Sequence, residues 1–349
     1  MNLIQSIFNN RKNTSNKVLK TYLDKLNLLC DFKIINVVGT NGKGSVSHYL
    51  TENLKQKLTV GTFTSPHIFE ANERIQVNGE NISTPQLEKY ISRYKDKDIH
   101  FFGIMFLCAI EYFNDMNCDV VILEAGIGGK HDPSNILDGD IGVITSVGYD
   151  HMEIFGETLQ DVMNDKIGII NNGMHFYSGS ELGVMNKCIT EKANELNSKH
   201  FIVDNQAKHY KTRNQLLVKE ILKNEFDIVA NFNEPLGRAT LQKINNTIAI
   251  LDVAHNENGI LATLEYLKDK QIPFEQVVIT IAKRKDFSNL QNIFKDKDIF
   301  VYTLNDSFIL AKDIEAKDIN NLKAFYNKQN KNTLYIGSFH SIGSILKNE

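Results

Sequence analysis

Apolar residues recur along this chain with two periods, and each period marks a different kind of element. Between residues 17 and 30, Leu19, Tyr22, Leu23, Leu26 and Leu29 fall at the spacing of one helical face. Strands are expected at Ile34 to Val38 and Leu58 to Thr64, and then at Asp119 to Ala125 (DVVILEA) and Ile141 to Val147 (IGVITSV), the last two nearly continuous in apolar side chains. Strands buried on both faces read this way. Helical stretches lie between and after them, the first at Lys43 to Gln56, and the alternation predicts a parallel α/β sheet. Asn78-Gly79, inside ERIQVNGENIS, adds a hairpin signal.

Beyond Asn171 the pattern weakens. Helices are expected around Glu181 to Leu196 and Arg213 to Lys223, with a short strand at Phe201 to Val203 between them. The link NFNEPLGRA then precedes a second α/β run, with strands at Ile248 to Val253, Gln276 to Ile281, Asp298 to Leu304 and Thr333 to Gly337. A boundary near Asn231 divides the chain into domains 1–231 and 232–349. The stretch 305–332 carries no clear signal, and no internal repeat or low-complexity tract is present.

With 349 residues, 42% hydrophobic and 23% charged, the chain is long enough for two globular domains with real cores. Its formal charge of −3, without a long basic run, argues against a general nucleic-acid or membrane-surface binder. Four scattered cysteines, Cys30, Cys108, Cys118 and Cys188, form no metal or disulfide pattern and read as free thiols. The opening MNLIQSIFNNRKN has no cationic segment before its apolar residues, and no apolar run approaches the roughly 18 residues that cross a bilayer. A cytoplasmic protein is expected.

The most informative stretch is VVGTNGKGS, residues 37–45. A glycine-rich turn between a buried strand and a helix start directs backbone N–H groups and the positive helix end at one spot, which makes an anion site. Gly39, Gly42 and Gly44 permit the tight path, Lys43 reaches toward outer phosphates, and Ser45 offers a hydroxyl to Mg²⁺. The pattern departs from G-x-x-x-x-G-K-[ST] because a glycine follows the lysine. Ser65, Glu124 and His151 stand at the ends of other expected strands, where ligands of a doubly wound sheet bind. Singly, Glu124 reads as a helix cap and His151 as a surface histidine; together with Ser45 they suggest one metal–phosphate centre.

From about Ser15 onward, VVGTNGKGS, TFTSPHIFEANERIQVNGENIS, LEAGIGGKHDPSNIL, TSVGYDHMEIFGETLQDVMNDKIGII and LDVAHNENG resemble the Mur-ligase superfamily, and within it the folylpolyglutamate and dihydrofolate synthases. In that family a glycine and then a serine follow the loop lysine. The resemblance implies a P-loop-containing, Mur-ligase-like central ATPase domain over 1–231. A smaller Rossmann-like α/β C-terminal domain, the glutamate ligase part, would cover 232–349. It implies ATP-driven amide synthesis: a folate-like carboxylate is phosphorylated, and the amine of L-glutamate attacks the acyl phosphate.

Position by position, the resemblance assigns Thr40, Asn41, Gly42, Lys43, Gly44 and Ser45 to ATP, and Ser45, Ser65, Glu124 and His151 to Mg²⁺. Lys166 matches a lysine that becomes carbamylated and serves a second metal, and the crowding of positive charge near His151 would favour its neutral amine. Lys43, His151 and Lys166 are the implied catalytic residues. Arg238 matches an arginine that reaches ATP from the link, and Asp252, His255 and Asn256 match a nucleotide-contacting group; Asp252 also has a plain reading as a helix cap. The implied partners are small molecules (folate or dihydropteroate, and L-glutamate), with neither nucleic acid nor membrane, and a monomer. The chain departs from the family pattern at Leu236, at Lys130 where arginine is common, and at Gly103 after Phe101-Phe102. The segment from Lys166 to Arg238, 238 − 166 = 72 positions, is short, and Lys283-Arg284-Lys285-Asp286 is a partial motif match. Two alternatives remain: a ligase for another carboxylate such as a cell-wall precursor, and a nucleotide-binding paralogue without turnover.

Overall fold

The computed structural model describes residues 3–8, 14–26, 28, 31–283, 285 and 288–347. Leu29, Cys30, Arg284 and Asp286 lie outside the described residues. The chain divides into two compact units, Met1–Asn233 and Glu234–Glu349.

In the first unit, helices α1 (Leu3–Phe8) and α2 (Asn16–Lys25) precede β1 (Lys33–Val38), α3 (Lys43–Leu54) and β2 (Val60–Phe63). The hairpin β3 (Ile75–Val77) and β4 (Glu80–Asn81) leads into α4 (Thr84–Tyr94) and α5 (Phe101–Asp115). Next come β5 (Val120–Glu124), β6 (Ile141–Ile144), the short α6 (Met152–Phe155), α7 (Leu159–Lys166) and β7 (His175–Gly179). The unit closes with α8 (Met185–Glu195), β8 (Lys199–Val203) and the long α9 (Tyr210–Phe226).

The strands form one sheet in the order β4-β3-β2-β5-β1-β6-β7-β8, parallel from β2 to β8, with the hairpin antiparallel at one edge. The apolar continuity of β5 follows from double burial. Val121 and Leu123 pack with Phe106, Ile110 and Phe113 of α5, while Val120 and Ile122 pack on the other face with Leu50 and Leu54 of α3 and Leu217 and Ile221 of α9. Each such side chain contributes roughly 1.5–3 kcal/mol on full burial. From β1 the chain winds outward to β2 on one side and later to β6, β7 and β8 on the other. That reversal puts the topological switch point at the end of β1.

The second unit contains β9 (Thr240–Ile244), β10 (Thr247–Asp252), α10 (Glu257–Asp269), β11 (Gln276–Thr280), α11 (Leu290–Ile293) and β12 (Asp298–Val301). It ends with β13 (Lys317–Asp318), α12 (Leu322–Asn327), β14 (Thr333–Gly337) and α13 (Phe339–Leu346). Its sheet runs β13-β12-β11-β14-β10-β9, parallel except for β9. The architecture is mixed α/β with two parallel-rich sheets.

Strands β7 and β9 went unread in the sequence, as did the two-residue β13. In β7, HFYSG, polar residues interrupt the apolar run, and in β9 burial alternates along an antiparallel edge. The stretch 305–332 holds β13 and α12, too short to leave a periodic signal. Cys108, Cys118 and Cys188 are free thiols, and no described helix is long and apolar enough to cross a membrane.

Candidate functional site

Strand β1 ends at Val38, and the next residues fold over the strand end rather than continuing it. Gly39 has φ +147, and a Cβ there would lie 2.0 Å from Thr145 Oγ1. The close approach arises because hydroxyls just past β6 hold the loop. Thr145 Oγ1 donates to Asn41 O at 2.6 Å, Asn41 N donates to Ser146 Oγ at 2.9 Å, and Thr40 N donates to Ser146 O at 3.0 Å. Thr40 Oγ1 also accepts from Gly148 N at 3.0 Å.

Gly42 occupies the N-cap position of α3 in left-handed conformation, φ +91, and no side chain caps the helix. The first-turn amides therefore lack the oxygen acceptor that Ser, Asp or Asn would give, the state in which a helix start accepts an anion. Lys43 is the first helical residue, and its Nζ donates to Gly39 O at 2.9 Å, which holds the ammonium against the loop. Ser45, one turn in, is buried.

The neighbouring strand ends supply the rest. Glu124 is the last residue of β5, in register with Val37, and is 3% exposed. It caps no helix: its Oε2 accepts from Ser65 N at 3.1 Å, so these two predicted residues are brought together directly. His151 has φ 54 and begins α6, with Nε2 3.8 Å from Asp150 Oδ1 and Nδ1 3.4 Å from Glu153 Oε1. The Phe155 ring connects His151 to Lys166: its centroid lies 6.5 Å from the imidazole's, and Lys166 Nζ lies 5.5 Å from it. Lys166 ends α7 and is 3% exposed. Its amine is pushed down to about 7, first by burial and then by the charge of Lys43, against the opposing pull of Asp165, Asp150 and Asp132. Burial, and not the crowding near His151 read from the sequence, is the principal cause.

Two further residues, not singled out from the sequence, belong to this set. Asn214 of α9 is buried with no hydrogen-bond partner on Nδ2, and a Cβ on Gly42 would lie 2.8 Å from that nitrogen. Arg74 is 9% exposed and lowered to about 10 by burial, while the charges of Glu124 and Glu73 resist the shift. Its Nε donates to His67 Nδ1 at 3.0 Å, and the guanidinium lies 5.2 Å from the Phe101 ring centroid. The backbone carrying Ser65 and His67 is organised by Glu73, whose carboxylate accepts from Ile68 N, Phe69 N and Glu70 N, each at 2.7 Å. A buried arginine in a string such as NERIQ looks like any surface arginine until the fold places it.

The remaining predicted residues lie in the second unit. Asp252 ends β10, and its carboxylate accepts from Ala239 N and Ala254 N at 2.8 Å; burial raises its pKa while Arg238 opposes the rise. It is not a helix cap. That role belongs to Asn256, whose Oδ1 accepts from Gly259 N at 2.8 Å at the start of α10. His255 Nδ1 is 2.9 Å from Val253 O, and the Arg238 guanidinium lies 5.6 Å from the Phe339 ring centroid.

The residues of the first unit fit a magnesium–nucleotide ligand. A helix start without a side-chain cap, an unused buried amide donor on Asn214 and a held ammonium suit phosphate oxygens, and the Ser45 hydroxyl and Glu124 carboxylate are hard oxygen donors. Among the described residues no group of three or more His, Cys, Asp or Glu gathers. Magnesium at a nucleotide needs none, since it keeps several waters and takes one or two carboxylates with the phosphates.

A glycine-rich phosphate loop at the switch point of a doubly wound sheet, followed by a smaller α/β unit, defines a P-loop α/β protein. The Mur ligase middle domain family matches residues 37–223, more than half of the chain, and the chain belongs to the Mur ligases. It is 40% identical over 154 residues to the dihydrofolate synthase/folylpolyglutamate synthase of Bacillus subtilis, a stretch covering 41% of this chain and 36% of that relative. The matched stretch thus spans just over a third of that relative's length. The enzyme of the same name from Buchnera aphidicola is 28% identical over 333 residues, covering 83% of this chain and 77% of that one. A solved bifunctional folylpolyglutamate synthase/dihydrofolate synthase with Mn, AMPPNP and L-glutamate bound superimposes with TM-score 0.84 at 21% identity, covering 98% of this chain and 96% of that chain.

Proposed function

We propose that this protein is an ATP-dependent ligase that joins L-glutamate to a folate, either tetrahydrofolate or a folylpolyglutamate, with dihydropteroate as a second acceptor. The observation that carries the reading is the phosphate loop without a side-chain cap at the end of β1, with buried Glu124 on the adjoining strand end and the buried, readily neutralised Lys166. The similarity to enzymes with this activity supports it.

The chemistry follows from what a carboxylate lacks. It is a poor electrophile, so its oxygen attacks the γ-phosphorus of ATP, ADP leaves, and an acyl phosphate forms. The glutamate nitrogen then attacks the acyl carbon, phosphate departs with the carboxylate oxygen, and the amine gives up a proton. The loop amides and Lys43 would bear the charge of the transferring phosphoryl group. Magnesium, held by Ser45, Ser65, Glu124 and His151, would supply further charge neutralisation. Lys166, with its neutral amine accessible near neutral pH, would take up CO₂ as a carbamate and present a negative group in its place. Asn214 would donate its unused amide to a phosphate oxygen beside Gly42. We assign the ATPase role to residues 1–231 and the glutamate-ligase role to 232–349, with Arg238, Asp252, His255 and Asn256 as nucleotide-contacting residues.

The test is ADP release with Mg-ATP and L-glutamate, assayed in turn with tetrahydrofolate, dihydropteroate and a cell-wall precursor. Release that requires a folate-type acceptor, with amide product requiring L-glutamate, is the expected result. Equal ADP release without any carboxylate acceptor would overturn the ligase reading, and activity confined to the cell-wall precursor would move the substrate to another carboxylate.

A further inference from the structure

The second unit carries a pocket of 370 Å³ that the ligase reading does not use. It is lined by Gln276 at the first position of β11, Phe300 of β12, Phe325 of α12 and the segment around Asn320, with Lys328 and Asn330 beyond α12. Strands β10 and β11 run parallel to β14 between them, and Asp252 is the last residue of β10. Gln276 therefore lies at the start of its strand, at the opposite end of the parallel ladder from Asp252.

Its lining has a distinct chemistry. Gln276 is 8% exposed, and its carbonyl oxygen accepts from Thr333 Oγ1 at 3.3 Å while its amide nitrogen has no partner among the described residues. If the two ends of the amide are exchanged, one amide group still remains unused. That end of the amide reaches the pocket's solvent and is available to a ligand. The other buried glutamine of the lining, Gln329, is fully engaged: it donates to Thr247 Oγ1 and accepts from Tyr335 OH, both at 2.8 Å. The contrast isolates Gln276 as the unused group. Phe300 and Phe325 form the apolar wall, with ring centroids 4.8 Å apart and planes at 55°. Exposed Asn320 and Asn330 add amides at the rim, where Lys328 adds a cation and Asp318 a carboxylate.

We propose that this pocket binds a planar heteroaromatic bearing an amide- or amidine-type edge, the chemistry shared by purines and pteridines. A glutamine side chain pairs with such an edge by donating from its nitrogen and accepting on its carbonyl oxygen, which has a second lone pair beyond the one Thr333 engages. The aromatic wall takes the flat face of the ring. The volume falls at the lower end of small-molecule sites, which suits one bicyclic ring and not an extended conjugate. This site is independent of the ligase reading.

The full-length protein is titrated with adenosine and, separately, with pterin, while the backbone ¹H–¹⁵N resonances of residues 276, 300 and 325 are followed. At least one compound is expected to shift them, and Gln276→Met is expected to weaken that binding roughly tenfold or more, the scale of losing a two-point amide contact. Lys43→Ala, which alters the phosphate loop of the first unit, is expected to leave it unchanged. Should Gln276→Met not fold, Asn320→Ala at the exposed rim is expected to weaken binding in the same direction. A response to adenosine alone assigns a purine, and a response to pterin alone assigns a pteridine. The proposal fails if neither compound moves these resonances, or if the variants that fold bind as tightly as the parent.

Discussion

Each unit contains a buried parallel strand that ends in a short loop and starts a helix, and the two loops satisfy their backbone amides in opposite ways. After β1, the N-cap is Gly42 with φ +91, a residue with no side-chain oxygen to bring to the helix start. After β10, Asn256 caps α10 through Gly259 N, and Asp252 takes up Ala239 N and Ala254 N. The second loop thus satisfies three of its amides with its own side chains. The first has no capping side chain at its N-cap and so leaves room there for an acceptor-rich ligand, at the cost of positive-φ glycines and a fold-imposed approach to Thr145. An anion site, on this comparison, is a helix start from which the internal cap has been withheld.

The largest expected effect breaks the open loop's charge. Lys43→Ala should lower the ligase rate about 10²–10³-fold, equivalent to roughly 2.7–4 kcal/mol of transition-state stabilisation, with the unfolding midpoint nearly unchanged. Steady-state ADP release beside a thermal melt checks both halves, and an unaltered rate would remove Lys43 from the phosphates. Next, Gly42→Ala forces a side chain into left-handed backbone with its Cβ 2.8 Å from Asn214 Nδ2. We expect a loss of roughly 1–3 kcal/mol in urea unfolding together with weaker binding of a non-hydrolysable ATP analogue. If binding holds, the helix start is not where the phosphates sit.

Lys166 sharpens the contrast through pH. Its amine titrates at about 7 in the folded protein against an ordinary 10.5, so between those values the unfolded chain binds the extra proton. Stability of the CO₂-free protein should therefore rise as pH climbs from about 7 toward 10, with this group adding a slope of up to roughly 1.4 kcal/mol per pH unit. Lys166→Met should flatten that slope in denaturant titrations, and an identical pH profile in the variant would show that the amine is not buried as described. The smallest effect falls on the self-capped loop. Asn256→Ala should cost about 1 kcal/mol, read as faster hydrogen exchange in the first turn of α10. Unchanged protection there would mean that the cap contributes nothing.

Much of this architecture was legible in the amino-acid order because it depends on local and periodic signals. Doubly buried strands such as DVVILEA are nearly continuous in apolar residues, Asn78-Gly79 suits the left-handed pair at the hairpin tip, and Gly39 and Gly42 of VVGTNGKGS mark positive-φ backbone that favours glycine, while Gly44 lies in ordinary helix. Residue type at the expected strand ends also named Ser45, Ser65, Glu124 and His151 as candidates, and the family resemblance added Lys166. What only the tertiary structure decided is which polar groups lose their water. Nothing in NERIQ says that Arg74 is buried between His67 and Phe101, nothing in KTRNQ places Asn214 against Gly42 from a helix more than 170 positions away (214 − 42 = 172), and nothing in NDKIG tells that Lys166 is 3% exposed. The same holds for strands β7 and β9, whose mixed residues become strands because neighbours supply the ladder. Periodicity is a property of adjacent residues, whereas desolvation and its pKa consequences depend on elements that meet only after the chain has folded.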